Sequence, residues 1–310
     1  MKQSLTITIL AGLIITSDLL IAGTDPVAEI NKYFAEAAAG RGYFITLDVL
    51  NSLAPKEFLE IVGKHIKASS PRVRYAAVDI TGRRALLLPA GEKRYPFVRL
   101  LSEAVSDTAG IVNAAALREL RYMNFNDFSR DSRKILSQQI QIPNLRPDEL
   151  LKITGFAGCR KSMPFIRQAY LYNPVIKENV KWSAYLAMAR MGDEECLAYC
   201  IDKAKKHSVN DSLVVAVFPD LVYTRTEDAM DFMLQEILCE AENCFTFNPG
   251  YDTTIVCAYK IMELIAPAIK NFPVPFIDGY LAADDYSQAL SEVRQWIRNG
   301  AAADIETSSY

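Results

Sequence analysis

Residues 178–206, ENVKWSAYLAMARMGDEECLAYCIDKAKK, read as two short helices joined by a tight acidic turn. Neither is long enough to bury its apolar stripe alone. In the first, Trp182, Tyr185, Leu186 and Ala189 recur at helical spacing up to about Met191. Gly192-Asp193 stops it and opens the second, whose inner face carries Leu197, Cys200, Ile201 and Ala204. Lys203, Lys205 and Lys206 fill the last turn, where positive charge suits the helix dipole. The same plan returns at 70–104, 111–140, 149–171, 211–238 and 253–281, and more loosely at 42–66. Such hairpins gain a core only by stacking, and a period of roughly 33–44 residues marks that architecture. The expectation is an all-α fold: a right-handed α-solenoid of about seven antiparallel helix pairs, with no β-sheet of consequence.

The stretches VRYAAVDI, VNAAALREL and VKWSAYLAMARMGDEE resemble the first helices of HEAT-like repeats. The last is similar to the variety named after the phycobilisome lyases. Pro219, inside an otherwise helical run, resembles the proline kink of many such first helices. The resemblance covers roughly 42–281 and implies a HEAT/armadillo-like superhelix over 24–300. Cap helices are expected at about 25–40 and 284–300, the second with Leu290, Val293, Trp296 and Ile297 facing in. AAADIETSSY, 301–310, reads as a loose tail.

The first 23 residues follow a different logic. Lys2, an apolar run from Leu5 to Ile15 and small residues at Ala22 and Gly23 have the layout of a signal peptide. Export to the periplasm or cell envelope, with cleavage near 22–24, is therefore expected, an N-terminal membrane anchor being the alternative. An oxidising compartment permits disulfides among Cys159, Cys196, Cys200, Cys239, Cys244 and Cys257. A pair among Cys239, Cys244 and Cys257, which flank a loop, is favoured; the rest read as small buried residues.

Chemistry-bearing motifs are sparse. His65 and His207 have no Cys, Asp or Glu at metal-ligand spacing and read as solvated surface residues. There is no phosphate loop, nucleophile elbow or zinc-protease motif, so neither cofactor, metal nor catalytic residue is assigned. Charge is the more informative property. Residues 24–206 carry 28 Lys/Arg against 20 Asp/Glu, and residues 207–310 carry 5 against 16. In a stacked rod this gives a basic body and an acidic end.

A binding track is expected on the concave wall of second helices, through Arg99, Arg133, Arg167, Lys203 and Lys206, continued by Asp228, Asp231 and Glu236. Phe245, Phe247 and Tyr251 form a candidate contact loop. These features fit a non-catalytic, exported scaffold of the bacterial cell envelope that binds a protein or peptide. A weak net charge of -3 speaks against nucleic acid. No stable membrane insertion follows signal removal, and the chain is expected to be a monomer or weak dimer. The alternative is an enzyme-associated module, since HEAT-like repeats occur in bilin lyases and in a class of DNA glycosylases.

Overall fold

The fold is described from a computed structural model, over residues 25–246 and 253–310, and is predominantly helical. In chain order the helices are α1 (Pro26–Ala38), α2 (Leu47–Ser52), α3 (Pro55–His65), α4 (Pro71–Leu86), α5 (Tyr95–Ala104) and α6 (Gly110–Arg121). There follow α7 (Arg130–Gln139), α8 (Pro147–Phe156) and α9 (Met163–Ile166), the last continued by a π-helical turn over Arg167–Leu171. The remainder are α10 (Glu178–Arg190), α11 (Glu194–Lys205), α12 (Asp211–Ala216), α13 (Phe218–Thr224), α14 (Glu227–Ile237), α15 (Ala258–Ile265) and α16 (Tyr286–Arg298). Among the described residues, strands are confined to two small hairpins. β1 (Cys244–Phe245) pairs with β2 (Thr254–Ile255), and β3 (Phe276–Ile277) with β4 (Tyr280–Leu281).

Local signals set these boundaries. Gly192, at φ 97°, ends α10, and the Asp193 carboxylate accepts the Cys196 N–H at 3.0 Å to cap α11. Proline occupies the first turn of α1, α3, α4, α5, α8 and α13, where its missing N–H costs nothing. Pro219 does more than kink its helix. The run divides at Val217, and Pro219 opens α13 as a new helix.

Packing is sequential. α1 lies on α4, α4 on α6, α6 on α8, α8 on α10, α10 on α13 and α13 on α15. A second series packs α5 on α7, α11 on α14 and α14 on α16. One apolar core runs through all of them. Small residues let α8 and α10 approach: a Cβ on Gly155 would stand 2.7 Å from Ala187 Cα and 2.5 Å from Tyr223 Oη. That hydroxyl donates to Lys152 O at 2.6 Å, tying α13 to α8.

Three expectations need correction or sharpening. Residues 301–310 are not loose; they lie against the helices, because their main chain finds partners that composition does not reveal. His65 is half-buried and stacked on Phe34 with ring centroids 3.7 Å apart; burial, aided by the Lys64 charge, lowers its pKa. His207 is exposed. The disulfide is Cys244–Cys257, which closes the segment carrying the β1–β2 hairpin. Cys159, Cys196 and Cys200 are buried free thiols, and Cys239 is exposed. Burial pushes the Cys159 thiol up to about 11 and Cys200 to about 12, so these are packing residues rather than nucleophiles.

Candidate polypeptide-binding groove

Arg99, Arg167 and Lys203 of the expected track each have their own local partners. Arg99 pairs with Glu103 one turn along α5 at 3.1 Å. Arg167 is held by Asp193 and, at 2.8 Å, by Glu195, so it pins the start of α11. Lys203 lies 4.8 Å over the Trp182 ring, and Lys206 is exposed at the end of α11. Asp228, Asp231 and Glu236 do come together, with Asp202 and Lys205, in a groove of about 680 Å³ between α11 and α14. Burial raises the Glu236 pKa against the opposing Lys205 charge. Phe245 is exposed, and its N–H donates to Asp211 at 2.7 Å. Phe247 and Tyr251 lie outside the described residues.

Arg133 belongs to a different constellation, at the edge where α6, α8, α10 and α13 end. Its Nε donates to Ala157 O at 2.7 Å, and its Nη2 to Phe125 O at 3.2 Å. Arg160 Nε donates to Met191 O at 3.2 Å, and Arg190 donates to Tyr223 O. Apart from the Phe125 carbonyl, which opens a short 3-10 turn, each guanidinium thus meets a carbonyl at the C-terminal end of a neighbouring helix, where the dipole favours a cation. Arg94 does the same beyond α4, and Arg294 beyond α14. Arg225 takes a left-handed conformation, φ 51°, and ends α13.

Residues 301–310 cross this edge. Ile305 bridges antiparallel to Ile269; Lys270 N–H donates to Asp304 O, and Glu306 N–H to Ala268 O, both at 2.8 Å. Further along, Phe125 N–H donates to Ser308 O at 2.7 Å. Arg190 Nη2 donates to Thr307 O at 3.2 Å and Ser309 O at 2.7 Å. Arg225 Nη2 reaches Ser309 Oγ at 3.2 Å and Tyr310 O at 3.1 Å.

The Tyr310 ring fills an aromatic socket. It stands 5.4 Å from Phe156 and 5.2 Å from Tyr223, with the Arg121 guanidinium 5.6 Å from its centroid. Burial pushes its hydroxyl up to about 12. Burial also lowers Arg190, and lowers Arg225 to about 10 with the Arg190 charge adding to the effect. The segment is therefore held largely through its main chain, with side-chain contacts at Asp304, paired with Lys270 at 3.2 Å, at Ser309, and at the Tyr310 ring.

Sequence reasoning missed Arg121, Arg160, Arg190, Arg225 and the socket of Phe156 and Tyr223. A signal existed: arginine recurs at or just past the ends of these helices. It was indistinguishable there from routine dipole compensation. No protein-family model matches this chain, and no curated protein matches it.

Proposed function

We propose that the chain is a non-catalytic, HEAT-like α-solenoid that binds an extended polypeptide along its arginine-lined edge. The succession of helix contacts from α1 to α15 supports a stacked arrangement. The observation that carries the binding function is the docked segment 301–310, a polypeptide already held as such a ligand would be. Its mode resembles strand addition, with the main chain supplying affinity and a side-chain pocket supplying choice. The apolar N-terminal run and the Cys244–Cys257 bridge both fit an exported protein of the cell envelope. N-terminal sequencing of protein from the native host tests export; an intact Met1 in the membrane fraction would favour the anchor instead.

The binding test uses a chain ending at Gly300 and a labelled peptide of residues 301–310. Fluorescence anisotropy is expected to show saturable binding, weakened about tenfold or more by Tyr310→Ala in the peptide. A shortened chain with a native circular dichroism spectrum but no affinity for the peptide would make the segment a fixed strap and remove the groove as a binding site.

A further inference from the structure

Arginines in the basic part of this chain are generally neutralised. Arg74 pairs with Asp107, Arg94 with Asp127, Arg118 with Asp79 and Glu119, Arg121 with Glu149, and Arg167 with Asp193. Arg72, Arg84 and Arg190 stand outside these ion pairs, but one place gathers several such cations. Between α7 and the turn after α8 lies an open cavity of about 760 Å³. Its lining includes Arg130, Arg133, Lys134, Arg160 and Lys161, with Asp131 the one carboxylate. Among the described residues none of the five cations is in an ion pair. Four of them are exposed and Arg133 is half-buried. Like charges so grouped raise the free energy of the empty site and favour an anion within it.

We propose that this cavity binds a ligand carrying two phosphate groups. Five cations against one carboxylate leave a charge too large for a single carboxylate ligand to balance. Two phosphate groups at about -1.5 to -2 each match it. Mixed guanidinium and ammonium donors are also the residue types that hold phosphate, by bidentate forks and by point charge. The size of the cavity admits an organic bisphosphate rather than a lone ion. It shares Arg133, Gly158 and Arg160 with a smaller cavity of about 290 Å³, where Arg225 lines the wall and its Nε is buried without a partner. A ligand here would sit beside the polypeptide groove, but the inference does not depend on that groove binding anything.

The test is isothermal titration calorimetry of the full chain with inorganic tripolyphosphate at low ionic strength. One saturable site is expected, weakening steeply with salt. The double variant Lys134→Gln/Lys161→Gln removes two exposed cations that cap no helix, and should lower affinity about tenfold or more. Lys203→Gln/Lys206→Gln, on α11, should leave it unchanged. Sedimentation with vesicles bearing phosphorylated headgroups, competed by tripolyphosphate, would assign the occupant to a lipid. Binding of tripolyphosphate without sedimentation would assign it to a soluble phosphate. No heat at millimolar tripolyphosphate, equal affinity in the Lys134→Gln/Lys161→Gln variant, or equally tight binding of citrate would overturn the proposal.

Discussion

Asp107, Asp193 and Asp211 each secure a junction between successive helices. Burial alone would raise their pKa values, but their hydrogen bonds prevail. Asp107 is held low by Arg74 and the Ala109 N–H, Asp193 by the Cys196 N–H and Arg167, and Asp211 by Lys260 and the Phe245 N–H. A depressed carboxylate contributes stability above its unfolded pKa, and that stability is lost as pH falls through the folded value. Urea midpoints should therefore decline as pH drops below about 4, and Asp107→Asn should flatten part of that decline. At the other end of the chain, Tyr310→Ala empties the aromatic socket. It should lower the unfolding free energy by about 1–3 kcal/mol in urea titrations. The sequence could not reveal this anchor. A single tyrosine closing a run of small polar residues has no periodicity, and its partners come from three distant helices.

Helices were readable because their signals are local. The hairpin expected over residues 178–206, with its first helix ending near Met191, forms as α10 and α11. Apolar period, glycine stop and aspartate cap agree there. The π-helical turn after α9 and the division between α12 and α13 were not readable, since tertiary packing decides how an interrupted helix resumes. Two glycine substitutions separate local from tertiary effects. Gly155→Ala forces a methyl group into Ala187 and Tyr223 and should destabilise by about 1–3 kcal/mol. Gly63→Ala in α3 meets nothing within 4 Å and should stabilise by about 0.5–1 kcal/mol through helix propensity. Chemical denaturation of the two variants checks both signs. Reducing Cys244–Cys257, whose partners are 13 residues apart, should cost about 3 kcal/mol by loop-closure entropy, measured as melting with and without reductant.

Across the whole molecule, the split between a basic body and an acidic end acquires a different meaning once partners are known. Much of the basic excess caps helix ends or pairs with carboxylates. Part of what remains is gathered beside α7, while Lys203, Lys205 and Lys206 stay exposed on the second helix α11. Exposed opposite charges contribute only about 0–1 kcal/mol per pair, so end-to-end docking of copies should be weak. Light scattering is expected to give a monomer at low and at high ionic strength; an oligomer that persists in high salt would point to apolar contact instead. The groove itself can be read amide by amide. In the full chain, hydrogen exchange at the Phe125 and Lys270 amides should be slow, because both donate to residues of 301–310. In a chain ending at Gly300 both should exchange rapidly, and added peptide of residues 301–310 should restore their protection. Equal protection with and without the segment would mean that these amides are satisfied elsewhere, and that the edge is not a polypeptide-binding groove.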